Sequence, residues 1–168
     1  MRRHLSPTQP EMSPQSRRLA GILLVVLPTV IYGGVSILWL LVGTSAYAEN
    51  ELRRDLWRAG HGHAGLLLVL SLVVLRYVDE ANLSDRLRII ARYAVPASAV
   101  LLPAAFFLSV LDADATEPNA LIYLAHVGAV VLALGLAILG VGLIRKRDDA
   151  AERNAHSDEG TVDPDTSR

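Results

Sequence analysis

Three histidines set within apolar sequence are the residues of this chain best placed to do chemistry. His61 and His63 lie in Arg58-Ala-Gly-His-Gly-His-Ala-Gly65, and His126 lies in Leu124-Ala-His-Val-Gly128. A neutral imidazole ligates metals and haem iron, and it titrates near neutrality. Ionisable groups at membrane depth are functional candidates by default. His63 and His126 are the candidate metal ligands and, with His61, the candidate cofactor-binding residues, for haem b or a divalent metal. The same rings could instead relay protons, or hydrogen-bond across helices at roughly 0.6–2 kcal/mol. Gly60, Gly62 and Gly65 remove bulk around His61 and His63, which would let another helix or a flat cofactor come close. There are no cysteines, which excludes thiolate ligands, disulfides and cysteine nucleophiles. A second candidate is the acidic run Asp112, Asp114 and Glu117, which could draw cations toward His126 or could simply be a solvated loop.

The elements that must carry these residues are four uncharged apolar stretches: Leu19–Gly43, Ala59–Leu75, Tyr93–Leu111 and Ala120–Ile144, of 25, 17, 19 and 25 residues. A helix needs about 20 apolar residues to cross a ~30 Å hydrocarbon core. The expected fold is therefore all-α, a four-transmembrane-helix bundle with spans at about 19–43, 59–78, 91–111 and 120–144. Residues 1–18 and 145–168, rich in proline or in charge, read as disordered tails. Glu49–Arg58, with Leu52 and Leu56 on one face, reads as a short interfacial helix before span two.

Basic residues set the orientation. Arg2, Arg3, Arg17, Arg18, Arg76, Arg86, Arg88, Arg92, Arg145, Lys146 and Arg147 fall on one side, 11 in all, against Arg53, Arg54 and Arg58, 3 in all, on the other. The positive-inside rule then places both termini in the cytoplasm, N-in and C-in. Arg76, Tyr77, Asp79 and Glu80 read as interface anchors. A competing reading takes Ala46-Tyr47-Ala48 as a signal-cleavage site, but the preceding apolar run exceeds the 7–15 residues usual for a signal.

At ~1.5 Å per residue, His63 lies about 6 Å along its helix from Ala59 and His126 about 9 Å from Ala120. Both helices start on the outer side, so the two rings sit at similar depth and are expected to share one ligand, with His61 pointing elsewhere. Ala125, Ala129, Ala133 and Ala137 recur every four residues, and such small stripes mark helix contacts. This predicts that the alanine stripe and His126 face inward and that span four is the most tightly packed helix. Gly128, Gly135 and Gly142 lie on nearly the opposite face, open to a homo-oligomer or membrane-protein partner.

The segments Leu56-Trp-Arg-Ala-Gly-His-Gly-His-Ala-Gly-Leu-Leu-Leu-Val-Leu70 and Leu102-Pro-Ala-Ala-Phe-Phe-Leu-Ser109 resemble a group of small, uncharacterised bacterial four-span integral membrane proteins. The resemblance covers most of residues 19–144 and implies residence in the bacterial cytoplasmic membrane. More loosely, Gly60-His-Gly-His-Ala-Gly65 resembles the haem-ligating helix of haem–copper oxidase catalytic subunits. The large helix set and copper ligands of those enzymes are absent, so that likeness implies a haem-ligating helix alone. The chain carries no P-loop, dinucleotide fingerprint or nucleophile elbow, and a net charge of −1 offers nothing to nucleic acid. The expected role is a non-enzymatic membrane protein, a haem- or metal-binding accessory to a respiratory or metal-handling system. A structural or assembly subunit and a small proton-coupled transporter are the alternatives.

Overall fold

The computed structural model describes residues 12–159, which form helices and connecting turns with no strand among them. In chain order these are α1 (Pro14–Gly43), α2 (Ser45–Glu49), α3 (Glu51–Tyr77), α4 (Asp85–Leu108), a 3-10 turn (Ala120–Tyr123) and α5 (Leu124–Glu159). Four segments are long and apolar enough to cross a membrane: Pro14–Gly43, Glu51–Tyr77, Asp85–Leu108 and Ala120–Arg145. Together they define a four-helix bundle of membrane-spanning type.

The helix ends follow from local chemistry. Ser13 caps α1, its hydroxyl accepting from the Ser16 amide at 3.2 Å, and Pro14 occupies the first turn, where no donor is lost. Asn50 caps α3 by accepting from the Arg53 amide at 3.0 Å. Asn119 caps the 3-10 turn by accepting from the Leu121 amide at 2.9 Å. The caps move several expected boundaries. Helix α1 begins five residues before the apolar run, so residues 14–18 are helical rather than part of a disordered tail. The short helix ahead of span two is Ser45–Glu49, and the turns from Glu51 are already α3. Helix α5 runs on to Glu159, so residues 145–159 of the expected tail are helical. Residues 1–11 and 160–168 of the two expected tails lie outside the described residues.

Helix α4 lies at the centre. It buries Ala91, Ala94, Val95, Ser98, Ala99, Leu102, Pro103 and Ala105 between α3 and α5, whereas α1 buries only Ser16 and Leu23. The expectation that span four is the tightest helix is thus corrected: span three is. The small rows of α5 are also reversed. Gly128 sits on Leu101 and Leu102, Gly135 on Ala94, and Gly142 on Leu83 and Ala81. Across this contact the Ser98 hydroxyl donates to the Gly128 carbonyl at 2.9 Å. The glycine row is therefore filled by the chain itself, not left open to a partner, and Ala129, Ala133 and Ala137 face outward. The physical reason lies in what the glycines admit: the Ala94 methyl at Gly135, and leucine side chains of α4 and of the α3–α4 loop at Gly128 and Gly142. Membrane helices gain most where backbones approach most closely.

At one end of the bundle the Ser13 amide meets Asp79, and the Asn82 amide donates to the Gly142 carbonyl at 2.9 Å. The start of α1, the α3–α4 loop and the end of the apolar part of α5 therefore share that end. Helix α1 packs along α3 through Leu23, Leu68 and Leu75, with Leu19, Leu27, Val30 and Leu72 around them.

Candidate functional site

The three histidines take three different environments. His63 turns toward α4. Its Nδ1 donates to the Ala59 carbonyl one turn back at 2.7 Å, and its ring lies 5.2 Å from that of Phe106. This is the pattern of a ring satisfied by its own helix and packed on an aromatic neighbour. His126 is exposed on the outer side of α5, beside Tyr123 at 5.9 Å between ring centroids. The inward assignment of His126 is corrected by this placement, because it follows the alanine stripe and that stripe faces out. With His63 turned to Phe106 and His126 on the outside, the structure does not bring these two together on one ligand. Among the described residues no group of three or more His, Asp or Glu is placed to hold a metal ion.

His61 is the ring that meets a cavity. It points from α3 toward α1, where Gly33 and Gly34 leave room for it. A Cβ at residue 34 would lie 2.7 Å from the His61 Nε2 and 2.9 Å from its Cε1. Only glycine permits that approach. The ring lines a groove of about 610 Å3 between α1 and α3, walled by Leu27, Val30, Val35, Leu38 and Val69. No hydrogen bond reaches either ring nitrogen of His61 among the described residues. Of the three rings it is the one that lines a groove between two helices, and its nitrogens are open to a ligand there.

The acidic run is shaped by amides. Asp112, Asp114 and Glu117 are exposed, and an Asp112 oxygen accepts from the Asp114 amide at 3.2 Å. The Asn50 side chain donates to the Ala113 and Ala115 carbonyls at 2.9 and 3.1 Å, tying the loop to the start of α3. Next to this tie, Tyr47, Trp57 and Phe107 stack in sequence at 5.6 and 5.9 Å, and the Arg53 guanidinium lies 4.5 Å from the Trp57 ring centre. Burial pushes the Tyr47 hydroxyl above its ordinary value, only partly offset by Arg58, Arg54 and Arg53.

At the opposite end, Asp79, expected as one of the interface anchors, belongs instead to a charged cluster with Arg92. Arg92 is 5% exposed. Its Nη2 donates to Asp79 at 2.7 Å and its Nε to the Ser16 hydroxyl at 3.0 Å. Asp79 also accepts from the Ser13 amide at 3.0 Å. Burial pushes the Asp79 carboxyl up, but hydrogen bonds from the Ser13 amide, Ser16, Arg92 and the Ser13 hydroxyl outweigh it, leaving the group below its ordinary value. Arg76 pairs with Glu80 at the surface nearby. The Asp79–Arg92 cluster joins α1, the α3–α4 loop and α4. It is structural in geometry, because both charges are consumed by each other and by the start of α1.

Comparison with protein-family models, with curated proteins and with solved structures found no match to this chain.

Proposed function

We propose that this chain is a non-enzymatic protein of the bacterial cytoplasmic membrane, with both termini cytoplasmic, that binds a lipid-soluble ligand in the groove between α1 and α3. The carrying observation is His61, an unpartnered imidazole seated on Gly34 inside an otherwise apolar groove. The reading keeps the accessory role expected from the histidines but moves it from the His63–His126 pair to His61. A haem or metal accessory would draw on the same ring; among the described residues no group of three or more His, Asp or Glu supports it. A small proton-coupled transporter would need a polar path through the bundle, which His61 alone does not supply.

The test is extraction of small molecules from protein purified out of native membranes. One hydrophobic compound should accompany the wild type at near-stoichiometric amount and be lost from Gly34→Leu, whose side chain must displace His61. Identical extracts from both proteins would contradict the proposal.

The orientation has its own test. Reporter fusions after the final residue should be active on the cytoplasmic side, and a reporter at Asp114 on the outer side. An external C-terminus would overturn the N-in, C-in assignment.

A second reading, an assembly subunit, is favoured by the outward face of α5, where Ala129, Ala133 and Ala137 sit flat in line with the exposed ring of His126. Close-packing faces of this kind suit a partner helix better than lipid. Under that reading Ala133→Leu leaves the isolated chain stable within about 0.5 kcal/mol, as surface changes generally do, yet shifts its migration on native gels.

A further inference from the structure

We infer that the polar cavity between the starts of α1 and α4 is a phospholipid site for a zwitterionic headgroup with a primary ammonium, its phosphate on Arg88 and its ammonium on Asp85. This site is separate from the α1–α3 groove and stands or falls without it. The cavity holds about 520 Å3, and its lining sets two carboxylates, Asp79 and Asp85, against two guanidiniums, Arg88 and Arg92. Asp79 and Arg92 are held by each other and by Ser13 and Ser16 of α1, and form a fixed wall. Asp85 and Arg88 are held far less. They pair at 3.2 Å across one turn of α4, with side chains 96% and 30% exposed, and an ion pair so open is worth little. Arg88 also donates from Nη2 to the Leu83 carbonyl at 3.0 Å, but its Nε is covered and has no acceptor among the described residues. The guanidinium is thus unsaturated where it stands, and such orphaned donors ask for a partner. Asp85 accepts with one oxygen only, which leaves the other for a donor.

Depth says that the ligand is a lipid headgroup. The uncharged apolar runs of α1 and α4 begin at Leu19 and Tyr93. At ~1.5 Å per residue, Ser13 lies about 9 Å and Arg88 about 8 Å beyond those starts, and each headgroup layer takes about 5–8 Å outside the ~30 Å hydrocarbon core. Ile89 in the lining and Tyr93 one turn deeper on the same face of α4 are exposed, so apolar surface leads from the cavity into the span. Acyl chains cover that surface, and a water-soluble phosphoethanolamine does not. Charge then selects the headgroup. A net basic pocket between membrane helices takes an anionic lipid, but two carboxylates cancel two guanidiniums here. An anionic phosphate would face Asp79 and Asp85 with no cation of its own to answer them. A zwitterion lies antiparallel over the Asp85–Arg88 pair and adds one charge-assisted contact to each side. Choline carries the same charges, but its quaternary nitrogen has no N–H to donate to the carboxylate. A primary ammonium has three.

The test uses the full chain in phosphatidylcholine nanodiscs with a rising fraction of phosphatidylethanolamine, and thermal stability as readout. A ligand that binds only the folded protein raises the melting temperature in a saturable way. Each shift is read against the same variant in pure phosphatidylcholine, so a change in the variant's own stability cancels. The wild type should show a saturable rise. Asp85→Asn and Arg88→Gln should each need about tenfold more phosphatidylethanolamine for the same shift, the low end for one hydrogen bond to a charged group. Asp85→Glu, which keeps the carboxylate, should recover most of it. Arg86→Gln, on the same turn but outside the lining, should match wild type. Phosphatidylglycerol, N,N,N-trimethylated phosphatidylethanolamine and water-soluble glycerophosphoethanolamine are titrated in parallel, and none should reproduce the rise. A saturable rise with phosphatidylglycerol that is lost in Arg88→Gln, without one for phosphatidylethanolamine, would overturn the zwitterion in favour of an anionic lipid. An equal rise with the trimethylated lipid would overturn recognition of the ammonium. A full rise with glycerophosphoethanolamine would overturn the lipid as source. If phosphatidylethanolamine shifts wild type, Asp85→Asn and Arg88→Gln alike, it acts through the bulk bilayer and the cavity is not a site.

Discussion

Replacing Arg92 with alanine should cost about 3–5 kcal/mol of stability, the usual penalty for breaking one side of a buried ion pair. The charge of Asp79 then stays behind, with its side chain 14% exposed and only Ser13 and Ser16 to satisfy it. The loss should be local first. Hydrogen exchange at residues 13–23 should rise before exchange in α4, because Ser13 and Ser16 are the polar anchors of α1. Unfolding in mixed detergent micelles gives the magnitude. The double variant Asp79→Leu/Arg92→Met should recover much of it, since a buried pair exchanged for apolar groups of similar size is often near neutral. The acid dependence has a fixed sign. The Asp79 carboxyl is held below its ordinary value in the folded chain. Its contribution is present above the unfolded carboxylate pKa of about 3.9 and is lost as pH falls through the lower, folded value. Asp79→Asn should remove that acid-dependent component. An Arg92→Ala protein as stable as wild type would show that the cluster is a surface arrangement without energetic weight.

Gly135→Leu should be the most damaging change on α5. Even a Cβ at residue 135 would collide with that of Ala94, and the α4 and α5 backbones must separate to admit anything larger. Overpacking costs about 1–3 kcal/mol in general, and this site belongs at the upper end, because close backbone approach is the source of adhesion between membrane helices. Thermal unfolding in detergent should also show Leu132→Ala destabilised, since Leu132 packs against two of the buried apolar clusters. Ala133→Leu should be nearly silent. If Ala133→Leu unfolded the protein while Gly135→Leu did not, the assigned faces of α5 would be reversed.

The existence and number of the four helices are legible in the sequence, because an uncharged run of about 20 residues is a direct consequence of hydrocarbon thickness. Which face of a helix turns inward is not. Span four carries both an alanine row and a glycine row, and period alone cannot rank them. The choice is made by the partners: Ala94 and Leu102 of α4 and Leu83 before it fit the glycines, and the Ser98 hydroxyl bonds the Gly128 carbonyl. His126 shares the face of Ala129, Ala133 and Ala137 and goes outward with them. The direction of His61 is ambiguous within its own helix, yet Gly33-Gly34 in span one carried the signal: a glycine pair in an apolar span is where a neighbouring ring can lie. The Asp79–Arg92 pair spans a loop and a helix 13 positions apart, and nothing in local spacing announces it. The start of α1 is missed by the reading of residues 1–18 as a tail, although serine followed by proline is the combination of a cap and a first-turn residue.

The most direct test of the groove is photo-crosslinking in living cells, with p-benzoylphenylalanine placed at Val35, at Val69 or at Val130. Val35 and Val69 line the groove, and Val130 is exposed on the far side of α5. The account predicts one discrete small-molecule adduct at Val35 and Val69, absent at Val130 and lost when Gly34→Leu is added. The same phospholipid adducts at all three positions, unchanged by Gly34→Leu, would contradict it.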